Sequence, residues 1–303
     1  MSNLKGALKQ ATHKADTLHR LLLGCPPRLV EAELAGRRLL VREGAVRSSP
    51  DYDDAWLFCA AAEARTIFDI GCNIGQSAMI EMVAGPPNLL VLVDANREAL
   101  TIAVENCCRN GFESEVRAAC AFLSNVAGET VRLYTTDLGA AGSKYEGHAK
   151  TAARRDSFLM VTTTTLDHLA DRFGAPDLVK VDVEGAECEV LGGATRLAKT
   201  ASPRFLIEVH SPPELPMVEN TRRILSWCQE NGYRAFYLAG HEVLDEPRQM
   251  AHRGRCHLLL QPADVPWPVW ATEVPQGVDL EQARRYIEAQ QASRSGDHEP
   301  SLS

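Results

Sequence analysis

The chain has 303 residues, of which 45% are hydrophobic and 24% charged, enough for one large core or two modest ones. Forty acidic residues against 32 basic ones give a formal charge of -8, which argues against a nucleic-acid backbone as the main ligand, since such binders present a basic face. No apolar run is long enough to span a bilayer, and the Leu21–Leu23 cluster leads into Cys25-Pro26-Pro27 rather than a cleavage site, so cytoplasmic residence without a membrane partner is expected. In chain order, Leu4, Leu8, Ala11, Ala15, Leu18 and Leu22 recur at helical spacing, and Pro26-Pro27 ends that helix. Residues 28–43 alternate around Gly36 and predict a hairpin. Residues 1–50 therefore form an extension that covers the core, makes a contact between copies of the chain, or walls the substrate site. Nine cysteines without a C-x-x-C pair read as reduced packing thiols.

From residue 51 to 262 strands and helices alternate. Thr66–Ile70, Leu89–Val93, Val116–Cys120, Leu178–Val183 and Arg204–Val209 are short apolar runs of the kind buried on both faces of a parallel sheet. Helices are expected over Ile74–Val83, Arg97–Arg109, Leu166–Phe173 (capped by Thr165), Ala186–Leu197 and Val218–Asn231. Val131–Thr135 and Leu159–Thr163 predict further strands, and Tyr233–Leu238 with His257–Gln261 a closing antiparallel pair. This alternation specifies a doubly wound α/β sheet with right-handed crossovers. Residues 263–303 read as a partly disordered tail with a helix over Leu280–Gln290.

The strongest local feature is Asp69-Ile70-Gly71-Cys72-Asn73-Ile74-Gly75, where a buried strand gives way to glycines and then a helix. Such a turn lets a ligand approach the backbone and offers it the positive end of a helix. The G-x-x-x-G spacing differs from the G-x-G-x-x-G of dinucleotide binders, and a carboxylate at Asp69 repels a pyrophosphate but accepts bonds from an α-amino group. Asp94, ending the second strand, is placed to hold two ribose hydroxyls, or else to cap the next helix. Together these residues favour a ligand that is both nucleoside and amino acid. Alternatives are an NAD-linked oxidoreductase and an inactive binding protein that keeps the fold.

These motifs resemble the FkbM family of S-adenosylmethionine-dependent methyltransferases. The resemblance rests on Asp69–Gly75, on Asp94 with Asn106 and Asn110, and on Thr164–Asp167. It continues through Lys180–Glu187 with Leu191 and Gly193-Ala194, and through Glu208–His210. Cys72 and Asp94-Ala95 depart from the family's usual alanine and glutamate-proline. The resemblance implies a Rossmann-like class I methyltransferase with a mostly parallel seven-stranded sheet and helices on both faces. It also implies methyl transfer to a hydroxyl of a small molecule or glycan. Carried over by position, Asp69, Gly71, Asn73 and Gly75 contact the methionine part of the cofactor, Asp94 the ribose, and Cys120 and Ala121 the adenine.

An alcohol acceptor must lose a proton to a base or meet a metal. Asp182 and Glu208 end neighbouring strands, and His210 shares a face with Glu208. The three are candidates for direct proton transfer, for a divalent-metal site, or for structural caps and ion pairs. Lys180, if buried, needs a carboxylate partner, with Asp182 nearest. Tyr145 and His148 are loop candidates for an acceptor pocket, as is His241.

Overall fold

The structure is a computed structural model and describes residues 26–47, 53–136 and 142–296. The expected N-terminal helix lies outside them, as do residues 297–303 of the expected tail.

The chain opens with a hairpin, β1 (Leu29–Leu34) and β2 (Arg37–Arg42), in register from Leu29 opposite Arg42 to Leu34 opposite Arg37. Its turn residues Ala35 and Gly36 both have positive φ (48° and 75°), which gives the twist that a two-residue hairpin loop needs. The hairpin is followed by α1 (Asp54–Ala62), β3 (Thr66–Ile70), α2 (Gln76–Ala84), β4 (Leu89–Asp94), α3 (Arg97–Arg109) and β5 (Val116–Cys120). Next come β6 (Phe122–Leu123), β7 (Thr130–Tyr134), α4 (Lys150–Arg154), β8 (Phe158–Thr164), α5 (Leu166–Phe173) and β9 (Leu178–Val181). The chain continues through α6 (Glu187–Gly192), α7 (Thr195–Thr200), β10 (Arg204–His210), α8 (Met217–Asn231), β11 (Tyr233–Tyr237), β12 (Glu242–Leu244) and β13 (Arg255–Pro262). It closes with α9 (Val269–Glu273) and α10 (Leu280–Gly296).

The main sheet has eight strands in the order β12-β11-β13-β10-β9-β3-β4-β5, one more than the seven expected, because β12 adds an antiparallel edge. Strands β5, β4, β3, β9 and β10 run parallel, while β13 lies antiparallel between β10 and β11. The strands predicted over 131–135 and 159–163 do not join this sheet. They form, with β6, a small sheet β6-β8-β7 at its carboxyl edge.

Two apolar layers cover the sheet. One holds the hairpin, α1, α2, α3, α9 and α10; the other holds α5 to α8. The central strands are buried on both sides, which is why their sequences are mostly apolar, interrupted inside β3 and β9 only by the paired Asp69 and Lys180. The single helix predicted over 186–197 is two, broken at the Gly193-Ala194 step. A Cβ at Gly193 would stand 2.3 Å from the Ser124 carbonyl oxygen. The segment read as a tail packs down: Trp270, Ala283 and Ile287 are buried, and the Trp56 indole donates to the Val274 carbonyl at 2.8 Å. Thr165 caps α5 as expected, accepting the His168 amide at 3.1 Å. No helix among the described residues is long and apolar enough to cross a membrane.

Candidate active site

Two cavities meet at the carboxyl ends of β3, β4 and β9. The first, about 660 Å³, lies between the β4 end (Val93–Asn96) and the β6 segment, with Leu133 and Thr135 of the small sheet as its roof. The second, about 690 Å³, runs from the Gly71–Ser77 turn to Arg47, Asp53, Lys180 and Glu208. Gly71, Asn73 and Asp182 line both, so the backbone turn and one carboxylate stand at their junction.

The turn is built from left-handed backbone at Gly71 (φ 80°), Asn73 (48°) and Gly75 (98°). Gly71 is obligatory on steric grounds, since a Cβ there would sit 1.8 Å from the Asp182 carbonyl oxygen. Gly75 serves packing rather than ligand approach: its Cβ position is 3.0 Å from the Ala103 Cα on α3. No side chain caps the start of α2, which leaves the positive end of the helix facing the second cavity.

Several residues singled out from the sequence take roles other than those expected. Asp69 does not line either cavity. It is fully buried, accepts the Ser77 hydroxyl at 2.6 Å and lies 3.4 Å from the Lys180 ammonium. Its cationic partner is therefore internal. Lys180 also donates to the Gly71 carbonyl at 3.2 Å and approaches Asp182 at 3.5 Å, so one buried ammonium bridges Asp69, the turn and Asp182. Cys120 is exposed with its thiol toward the Ala95 carbonyl, whereas Ala121 lines the first cavity. Asp94 lines that cavity too, but its two oxygens accept the Asn73 and Asn96 amides at 2.9 and 2.7 Å. Helix capping falls to Asn96 instead. Asn106 and Asn110 hold the hairpin: Asn106 accepts the Arg42 amide and donates to the Ile74 carbonyl, while Asn110 brackets Leu40 with both ends of its amide.

Asp182, Glu208 and His210 are brought together, one ligand atom from each lying within 4.8 Å of the others. His210 is enclosed by acids: Nδ1 is 3.1 Å from Glu187, and Nε2 is 3.4 Å from both Glu184 and Glu208. Burial opposes its charge, but the bonds to Glu187 and Glu208 outweigh it and lift His210 to about 11. An imidazolium offers neither a base nor a metal-binding lone pair. Glu208 shows the complement: burial alone would raise it, and His210 with His257 holds it far below the ordinary carboxylate range.

Asp182 behaves differently. Burial pushes its carboxyl up to about 7, with Lys180 pulling it back and Glu208 pushing it further. Its Oδ1 is buried without a hydrogen-bond partner among the described residues. Glu184 adopts φ 54°, a strained position for a non-glycine residue, and meets His148 at 2.5 Å. The connection between β7 and β8 is thereby pinned to the site through His148, with Ser143 donating to the Glu184 carbonyl. Tyr145 packs over Gly185, and His241, expected nearby, instead faces the Ala271 carbonyl.

The raised value of His210 has a thermodynamic consequence. Its folded-state value exceeds the ordinary 6.5, so its stabilising charge is complete below that pH and is lost as the pH climbs to about 11. The thermal stability of the wild type over His210→Gln is expected to be largest near pH ~6 and to shrink toward pH ~10. A gap that grows with pH, read by unfolding scans at several pH values, would refute the imidazolium.

The profile of the methyltransferase FkbM domain matches residues 69–235, more than half of the 303. The chain belongs to the FkbM methyltransferase family. Similar solved structures include the FkbM methyltransferase of Methylobacillus flagellatus KT (17% identity, TM-score 0.43). That match covers 65% of this chain and 43% of the other, so this chain spans less than half of that relative's length. Others are M. jannaschii TYW2 in complex with AdoMet (12%, 0.43; 78% of this chain and 85% of that one) and the Bacillus cereus O-methyltransferase in complex with SAH (14%, 0.41; 71% and 81%). No curated protein matches the sequence. The fold of this FkbM chain is the expected α/β one, a mostly parallel main sheet with helices on both faces, the eighth strand aside.

Sequence reasoning passed over Glu187, Asp53 and His257. Glu187 could have been found as the last acid of the Lys180–Glu187 block. His257 gave no local signal, because it faces Glu208 only through the β10–β13 register.

Proposed function

We propose that the chain binds S-adenosylmethionine across the two cavities and transfers its methyl group to a hydroxyl of a small molecule or sugar, with Asp182 as the base. The observation that carries this reading is Asp182 itself, which lies at the junction of the cavities with a buried, unpartnered oxygen and a value near neutrality.

The lining fits the cofactor. The first cavity presents apolar faces at Val93, Ala121, Phe122 and Leu123, suited to an adenine ring, and Asp94 keeps spare lone pairs for ribose hydroxyls. The Gly71–Gly75 turn and the uncapped start of α2 suit the amino-acid end, whose carboxylate a helix N-terminus favours. When bound, the cofactor supplies a methyl group activated on a sulfonium, so the protein mainly positions and dehydrates the partners. Asp182 would take the acceptor's hydroxyl proton, freeing that oxygen to receive the methyl group. Lys180 keeps the Asp182 carboxylate oriented. Polar groups predominate around the second cavity, where Arg47, Asp53, Lys180 and Glu208 favour a hydroxylated acceptor over an apolar one.

The G-x-x-x-G turn and the family membership together leave the NAD-linked alternative without support. The test is incubation with methyl-labelled cofactor and a panel of sugars and other polyols, followed by mass spectrometry of the products. A labelled oxygen ether is expected, and absence of calorimetric binding to S-adenosylhomocysteine would end the reading. Asp94→Ala is expected to weaken that binding by about 1–3 kcal/mol, through lost charge-assisted bonds and a loosened Asn73. Unchanged affinity would remove Asp94 from the ribose site.

A further inference from the structure

Behind the second cavity stands a group the methyl-transfer reading does not use. His257 on β13 lies directly opposite Glu208 on β10 and is only 3% exposed. Its Nε2 points at two carboxylates, 3.6 Å from Asp53 Oδ2 and 3.7 Å from Glu208 Oε2, and has no hydrogen-bond partner among the described residues. Both separations are too long for a hydrogen bond. A buried imidazole nitrogen left in this state destabilises the fold unless a ligand meets it.

The three groups are held in place independently of one another. The Trp56 ring lies against His257 with centroids 5.6 Å apart. Glu208 is anchored through its other oxygen by Arg255 at 2.7 Å. Asp53 occupies the N-cap position of α1, yet its side chain does not cap the helix. The carboxylate most naturally used to satisfy α1 is instead turned toward His257.

We propose that Asp53, Glu208 and His257 bind a divalent metal ion. One ligand atom from each falls within 4.8 Å of the other two, and the His257 nitrogen stands 3.6 and 3.7 Å from the carboxylates, so small side-chain rotations bring all three to about 2.1 Å from one ion. One imidazole and two carboxylates form a mixed nitrogen and oxygen set that suits Mn²⁺ or Zn²⁺. Asp53 and Glu208 line the second cavity, so the remaining coordination positions open into it. There a water or, resting on the methyl-transfer reading, an oxygen of the acceptor would complete the shell. The neighbouring clusters lack this character. His210 has acids at both ring nitrogens, and His148 Nε2 is already bonded to Glu184. The metal set anticipated from sequence thus shares Glu208 with this one but differs in the other two members.

The test uses the full chain, stripped of metal and titrated with Mn²⁺ alone, read by the electron paramagnetic resonance of the free ion. Mn²⁺ favours carboxylates over thiolates, so the eight described free cysteines do not compete. One ion bound per chain is expected, with at least tenfold weaker binding in both His257→Gln and Asp53→Asn. If His257→Gln fails to fold, the rim variant Asp53→Asn decides the matter. Absence of binding in the wild type, or wild-type affinity in folded Asp53→Asn, overturns the site. A parallel titration with S-adenosylhomocysteine keeps the two readings apart: its failure sinks the cofactor proposal and leaves the ion site standing.

Discussion

Asp182→Asn is expected to cut methyl transfer by about 10²–10⁴-fold while leaving S-adenosylhomocysteine affinity within about threefold of the wild type. The amide keeps the size and most of the polarity of the carboxylate but has no basic oxygen. The loss should therefore fall on turnover rather than on binding. The wild-type rate should carry the corresponding pH signature. Because the base works only when ionised, the rate should rise about tenfold per pH unit below ~7 and level off above it, since burial holds the Asp182 carboxyl near 7. The asparagine variant should lose that limb. A variant retaining more than a tenth of the rate, or a profile flat from pH ~5 to ~8, would show that another group takes the proton.

Gly71→Ala should be the most damaging single-methyl change in the site. The added carbon would lie 1.8 Å from the Asp182 carbonyl oxygen and 2.9 Å from its carbonyl carbon, both of them backbone atoms that cannot swing aside. The substitution also forces a side chain onto φ 80°. Together these should cost about 3–5 kcal/mol of stability. Gly174→Ala provides the comparison: its φ is 92°, but nothing lies within 4 Å of its Cβ position, so only the backbone strain remains, about 1 kcal/mol. Chemical denaturation of both variants checks the difference. Equal losses would mean that the contact with Asp182 relaxes freely.

The parallel core of the fold was legible because each of its strands is a short apolar run with a helix-starting turn behind it. β3, β4, β9 and β10 fall close to their predicted bounds for that reason. The errors arose where pairing is decided at long range. Nothing local in Val131–Thr135 tells a strand of the main sheet from a strand of the β6-β8-β7 sheet. Nor does the sequence of β12 show that it will extend the far edge. In the site, residue types marked the carboxyl ends of β3, β4 and β9, where the two cavities lie, but their roles depended on partners supplied by the fold. Asp69 reads as a ligand for an ammonium group until Lys180, its register partner on the neighbouring strand β9, occupies it. His210 reads as a base until Glu184, Glu187 and Glu208 surround it. Asn106 and Asn110, which the family resemblance carried without a stated role, clamp the hairpin that precedes the domain.

The position of β13 bears on where this protein can be divided. The recognisable stretch ends at residue 235, yet the strand wedged between β10 and β11 is contributed by residues 255–262. Cut at that limit, the sheet would split, exposing two apolar strand edges to aggregation. The inherited methyltransferase segment is thus not autonomous, and grafting or truncation schemes must carry the later strand with it.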